Sequence, residues 1–488
     1  MNYYLLTPEL CLVGVAIAVI LLDLVITRKG WLTIISIAGL AASIVVSVAL
    51  WGRQDNSLFN GMLKADEFAL FFKVLLAGVA ILVLLASRDY ISRLSRFQGE
   101  YHALILLSVI GMMLMAASRD LITIYVSLEL TSLSLYALVG FLKDAKSSEA
   151  GLKYLLLGAI ASAVLLYGMA LIFGITGETR LADIAAALPS GRVWENPLLL
   201  LGLVFLIAGF GFKMATVPFQ MWVPDVYEGA PTTVTAYLSV ASKAAGFAVV
   251  LRVFLEAFGG DVLPDWAMIF AVLGAITMTV GNIMAISQTN IKRMLGYSSI
   301  AQAGYLMVGL AAVSQAGEVS DPVVYGPTGL LFFIGCYAVA NLGAFIAVIA
   351  VTNKTGSDDI ESFAGMGSRA PLISLALTLC LISLIGLPPT AGFLAKFYLF
   401  NAAVHHDLVW LVIIAVVNTA ISAYYYLRVV KVTWVGSPAS NEGVPSGWAL
   451  RAALGIACLG VLVLFFYPSP LLDLARDAAR TVAGILLP

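Results

Sequence analysis

The stretch GFKMATVPFQMWVPDVYEGAP, Gly211 to Pro231, places Lys213 five residues ahead of Pro218, with Pro224 and Pro231 following. Proline lacks a backbone donor and clashes with the preceding turn, so it breaks a helix interior. An ammonium group in an apolar helix is comparably unfavourable. Finding both at one place predicts an interrupted spanning helix with a charge at its break.

The surrounding composition supports the spanning part of that reading. The chain has 488 residues, 61% hydrophobic and 11% charged, with a mean hydropathy of +0.99. Soluble domains carry about 25% charged residues. Net charge is −1, so nothing points to nucleic acid or another polyanion. Cys11, Cys336, Cys380 and Cys458 are widely spaced in apolar runs, and the histidines are His102, His405 and His406. No CxxC pair or Cys/His cluster offers a ligand set for zinc, haem or an iron–sulfur group. The N-terminal apolar run has no basic region before it and no small-residue cleavage site, which predicts a retained first helix.

Apolar runs of roughly 20 residues predict an all-α polytopic membrane protein with about fourteen transmembrane helices. The expected spans are 8–27, 31–51, 67–87, 101–117, 121–142, 150–176, 198–217, 232–255, 266–287, 294–314, 327–351, 370–400, 408–434 and 448–467. The tail 470–488 mixes charge with apolar residues, as an interfacial helix does. No polar interruption is long enough to fold alone, so 1–488 reads as a single domain.

Basic residues near the loops give an orientation. Loops after odd-numbered helices hold Arg28, Lys29, Arg88, Arg93, Arg96, Lys143, Lys146, Lys292, Arg293, Lys354, Arg369, Arg428, Lys431 and Arg451. Loops after even-numbered helices and the tail hold Arg53, Lys64, Arg119, Arg180, Arg192, Arg252, Arg476 and Arg480. Fourteen against eight places both termini outside the cytoplasm.

A second stretch, LIGLPPTAGFLAKFYLF from Leu384 to Phe400, repeats the opening device, with Pro388, Pro389 and Gly392 ahead of Lys396. Paired interruptions in corresponding halves mark inverted-repeat transporters. Five ionisable residues stand out within predicted spans, each on a different helix: Glu129, Lys153, Lys213, Lys243 and Lys396. Each costs about 2.5–3.5 kcal/mol on insertion scales and so calls for a reason. Snorkelling or a structural ion pair is the plain alternative, and it suits Lys153 near its helix start. Lys73 lies within a helix too, with no partner legible in the sequence. Burial favours the neutral form of a lysine and a nearby carboxylate favours the charged form, so a Glu–Lys pair can load and release a proton. A helix break adds carbonyls and room for water, which is tolerated where the backbone lines a cavity.

These residues resemble the antiporter-like membrane subunits of respiratory complex I, the proton-pumping NADH:quinone oxidoreductase. The resemblance covers nearly the whole chain. It rests on Glu129, KMATVPFQMWVPDVYEGAPT, Lys243, NIKRMLGYSSIAQAGY (Asn290 to Tyr305) and GLPPTAGFLAKF. It implies two inverted five-helix repeats, approximately 101–258 and 266–434. It implies that Glu129 pairs with Lys213, that Lys153 modulates the pair, and that Lys243 connects the halves at mid-membrane. Lys396 becomes the second-half lysine on the exit side. The M-type paralogue has glutamate at the Lys396 position and the L-type is longer, so the likeness points to the third type. Gln302 replaces a histidine found in many relatives and reads as a variant polar link. The resemblance further implies no cofactor in this chain, with NADH, FMN, iron–sulfur clusters and quinone in partner subunits. The implied partners are the other complex I subunits, above all neighbouring antiporter-like and small membrane subunits, in a bacterial inner membrane. A multisubunit sodium/proton antiporter component is the alternative, and neighbouring genes would separate the two.

Overall fold

The computed structural model describes residues 3–53, 57–91, 97–189, 191–313, 325–438 and 442–483. Arg93 and Arg96 of the orientation argument, and residues 484–488 of the tail, lie outside them. The order of the main helices is α1 (Thr7–Val25), α2 (Gly30–Ala49), α3 (Glu67–Ile91), α4 (Gln98–Ala117), α5 (Leu121–Val139) and α6 (Ala145–Thr176). Then come α7 (Pro197–Met214), α8 (Trp222–Gly229), α9 (Thr232–Ala257), α10 (Leu263–Ile286), α11 (Ile291–Ala311) and α12 (Gly326–Thr355). The chain ends with α13 (Pro371–Ile385), α14 (Ala391–His405), α15 (Val409–Val435), α16 (Trp448–Phe466) and α17 (Ser469–Ala483).

Among the described residues, twelve helices are long and apolar enough to cross a membrane. The 21-residue α11, which carries Lys292 and Arg293, and the broken pair α13–α14 bring the crossings to fourteen, the expected number. Bounds shift where capping decides them. The seventh span stops at Met214 rather than 217, and α6 reaches back to Ala145 because Asp144 caps it by accepting from Ser147 N at 2.7 Å.

The two halves share local devices. Asp120 caps α5, and its backbone bridges to Arg180 beyond the end of α6; Asn290 caps α11 and bridges to Asp359 beyond the end of α12. Both α6 and α12 end on a left-handed glycine, Gly177 and Gly356. The broken seventh and twelfth crossings each carry a left-handed residue at the break, Ala215 and Gly386, and one cis X–Pro bond, at Pro218 and Pro389.

In lipid, helices associate by close packing rather than by escape from water. Gly281 of α10 and Gly304 of α11 show this. A Cβ at 281 would stand 2.6 Å from Ala301 N, and one at 304 would strike the α10 backbone at Met278. The tail forms helix α17. Helix α17 packs against α3 and α12 and buries Ala475, Ala478 and Ala479, while Thr481 donates to Glu67 Oε2 at 3.1 Å.

Candidate functional site

Lys213 occupies the last turn of α7, where unpaired carbonyls favour a cation. Ala215, at φ +63°, ends the helix. The freed carbonyls are not left open to water, as the sequence had suggested. Phe212 O accepts from the Trp222 indole at 3.0 Å, and Gly211 O accepts from Thr216 N at 2.9 Å. Buried backbone acceptors find partners, and here the short helix α8 supplies one.

Lys213 is 5% exposed, and its Nζ donates to Ser132 Oγ at 2.6 Å. Ser132 lies one turn beyond Glu129 on α5. Glu129 in turn accepts from Ser162 Oγ of α6 at 2.5 Å. Among the described residues no ion pair joins Glu129 to Lys213: Ser132 accepts from Lys213 and donates to Leu128 O at 2.5 Å, while Glu129 is held by Ser162. The Tyr136 ring centre lies 5.9 Å from the ammonium, and Gly158 of α6 leaves the space that the Tyr136 hydroxyl fills.

Lys243 follows a π-helical turn, Leu238–Ser242, inside α9. Such turns widen a helix and re-aim its side chains, often at functional sites. The Lys243 ammonium donates to Ser299 Oγ at 2.5 Å and also to Ser299 O. Ser299 Oγ lies 3.0 Å from the Tyr337 hydroxyl, which donates to Ser239 O at 3.1 Å. Lys243, Ser299 and Tyr337 thus form a connected row running from α9 through α11 to α12.

Lys396 sits one turn into α14 but reaches back across the break. Its Nζ donates to Ile385 O at 2.8 Å and to Thr419 Oγ1 at 3.1 Å, 4.2 Å from the Tyr305 ring centre. Ile385 is the last residue of α13, so Lys396 serves the C-terminal end of a half-helix, as Lys213 does by sequence position. A cavity of about 10 Å³ is lined by Lys396, Tyr337, Gln302 and Ser383 among others. That is about the smallest volume that holds one water, and the lining supplies the polar partners a water needs. Gln302 Nε2 donates to Leu384 O at 3.0 Å, fixing the amide at the cavity wall.

Lys153 differs from the other lysines. Its side chain is 44% exposed and paired with Glu149 at 2.8 Å and Asp225 at 3.0 Å. Asp225, on the short helix α8, also accepts from Arg293 at 2.7 Å. Burial works against its ionisation, but Arg293 and Lys153 hold the carboxyl below the usual carboxylate range. Lys153 therefore touches the first break through α8 and does not approach Glu129 among the described contacts.

Sequence reasoning missed two buried ion pairs. Arg252, counted among loop residues, lies inside α9 at 0% exposure. It forks onto Asp66 at 2.7 and 2.8 Å and onto Glu256 at 2.9 Å, and Arg119 reaches Glu256 at 2.5 Å. The i, i+4 spacing of Arg252 and Glu256 was the available signal. Lys73 finds its partner in Glu9 of α1 at 2.7 Å, a contact between helices distant in sequence.

Fourteen crossings, two of them broken beside a buried lysine with a third lysine between, define a transporter-like membrane subunit. Residues 118–422 match the family described as NADH:quinone oxidoreductase/Mrp antiporter, TM. The chain is 48% identical over 485 residues to NADH-quinone oxidoreductase subunit N of Dehalococcoides mccartyi, covering 98% of this chain and 99% of that protein. A chain of respiratory complex I from Thermus thermophilus is 33% identical, with a TM-score of 0.80 over 96% of this chain and 100% of that one. A chain of the Mrp complex from Dietzia sp. DQ12-45-1b has a TM-score of 0.86 at 21% identity, over 99% and 98% of the two chains, and shares the fold. The chain belongs to the NADH:quinone oxidoreductase/Mrp antiporter family, and within it to the group of NADH-quinone oxidoreductase subunit N.

Proposed function

We propose that this chain moves protons across a bacterial inner membrane as part of an NADH:quinone oxidoreductase, through Glu129, Lys213, Lys243 and Lys396. NADH, FMN, iron–sulfur clusters and quinone belong on this reading to partner subunits, and this chain holds no redox group. The halves 101–258 and 266–434 act as inverted repeats, each contributing one broken helix.

The single observation that carries the reading is the row from Lys243 through Ser299 and Tyr337 to the cavity shared with Lys396. Serine and tyrosine hydroxyls both accept and donate, so a proton released by the Lys243 ammonium can pass along them. Lys396 then takes it up when neutral. In the first half, the charge on Glu129 acts on Lys213 through space, with the ammonium held by Ser132 and the carboxylate by Ser162. Lys153 and Arg293 hold α8 through Asp225 and so set the position of the first break. The sodium/proton antiporter alternative shares the family match, but the Mrp chain is 21% identical against 48% for a subunit N relative.

The test is purification of the native complex with identification of its subunits and measurement of NADH:quinone turnover and proton uptake. Co-purification with redox and quinone-reducing subunits supports the reading. Co-purification with small antiporter subunits alone overturns it.

A further inference from the structure

Helices α13 and α16 line a groove of about 550 Å³. Its walls include Leu372, Leu375 and Leu379 of α13 with Leu454, Gly455 and Leu462 of α16. From Pro371 to Leu379 the helix rises about 12 Å, and from Trp448 to Leu462 about 21 Å. Half the hydrocarbon core of a bilayer is about 15 Å, so the groove spans roughly one leaflet.

The mouth of the groove is polar and cationic. Arg451 is exposed, donates Nε to Ser446 Oγ at 2.9 Å and forms no ion pair among the described residues. Arg369, beside the lining residue Ala370, donates Nε to the backbone oxygen of Glu442 at 2.9 Å. Trp448 is 66% exposed, with Arg88 over its ring at 5.0 Å, an arrangement typical of the headgroup layer. Two carboxylates face these groups. Glu442 pairs with Lys354 at 2.7 Å, and Asp89 accepts from Gly447 N at 3.0 Å. Arg88, Arg369, Arg451 and Lys354 against Asp89 and Glu442 leave two positive charges at the mouth.

We propose that this groove binds an anionic glycerophospholipid, with its phosphate held by Arg451 and Arg369 and an acyl chain between α13 and α16. Basic clefts between spanning helices select such headgroups. A helix 10–12 Å across and about 15 Å long occupies roughly 1,200 Å³, about twice the groove, whereas an acyl chain is slender enough to enter. The bound chain would brace α13, whose terminal carbonyl at Ile385 accepts from Lys396.

The test uses the intact complex in membranes with phosphatidylglycerol or phosphatidylethanolamine carrying the same photoreactive acyl chain. Labelled peptides are read by mass spectrometry. Phosphatidylglycerol is expected to label the segments 370–379 and 446–462, with phosphatidylethanolamine about fivefold lower. Arg451→Gln should reduce the phosphatidylglycerol label about fivefold. Gly455→Phe should reduce it as well, because a side chain at 455 projects into open space. Equal labelling by the two lipids overturns the proposal. So does labelling that neither variant changes, or a groove closed to lipid by a neighbouring subunit. The comparison of the two lipids needs no variant, so a failure of Gly455→Phe to assemble leaves the proposal decidable.

Discussion

Ser132 accepts from the Lys213 ammonium at 2.6 Å and donates to Leu128 O, one turn from Glu129, which Ser162 holds instead. Two charges held apart by separate serines can change their coupling through a small side-chain movement, whereas a contact pair must break. Removing the hydroxyl that holds the Lys213 ammonium should therefore hurt less than removing either charge. Lys213→Ala and Glu129→Ala are expected to lower coupled turnover of the assembled complex about tenfold or more, within the range of lost proton-transfer groups. Ser132→Ala should give an intermediate loss. Steady-state NADH:quinone turnover with a pH-sensitive dye in vesicles reads all three. Normal turnover in Lys213→Ala with the complex intact would remove that lysine from the pathway.

Tyr337 and Gln302 line the small cavity with Lys396, so the link between halves should respond to both. Tyr337→Phe removes the hydroxyl that joins Ser299 to the cavity and is expected to lower pumping about tenfold. Gln302→His restores a titratable group at a polar position and should keep most activity, whereas Gln302→Leu should not. If Tyr337→Phe pumps normally, the row of hydroxyls is structural.

Lys396→Ala should abolish most pumping while the complex remains assembled. Lys396→Arg should also be impaired, because guanidinium does not lose its proton in this range. Equal activity of Lys396→Arg and the wild type would show that charge, rather than proton release, is what the site needs.

The fork of Arg252 onto Asp66 supplies a prediction about stability. Breaking a buried ion pair by removing one partner costs roughly 3–5 kcal/mol. Arg252→Met should accordingly lower the thermal midpoint of the complex, and the double variant Arg252→Met with Asp66→Leu should recover part of it. Burial, the largest influence, works against ionisation of Asp66, yet the charge and hydrogen bonds of Arg252, with Lys64, hold its carboxyl below the usual range. A carboxyl lowered on folding stabilises above its unfolded pKa, about 3.9, and loses that contribution as pH falls through its folded value. The gap in midpoint between wild type and Asp66→Asn should stay constant at neutral pH and shrink below about pH 4. A gap that widens on acidification would contradict the assignment.

The crossings and both breaks were legible because apolar length and proline placement are local properties. Lys213, Lys243 and Lys396 were legible as charges where the surrounding residues are apolar. Their partners were not, because Ser132, Ser299, Tyr337 and Ile385 lie 81, 56, 94 and 11 positions from the lysines they serve, and serine or tyrosine in a helix carries no signal by itself. Lys153 misled for the same reason, since its exposure depends on which face of α6 packs inward. Arg252 misled because it stands three residues inside the expected end of its span at 255, where a long side chain can reach the loop and its buried partner Asp66 is distant in sequence.

On the proposed function, protons cross this chain through Lys243. The direct test is the proton-to-electron ratio of the complex reconstituted in vesicles, wild type against Lys243→Ala, with assembly verified in the same preparation. A lower ratio in Lys243→Ala, together with slower turnover, is expected. An unchanged ratio at unchanged turnover would contradict it.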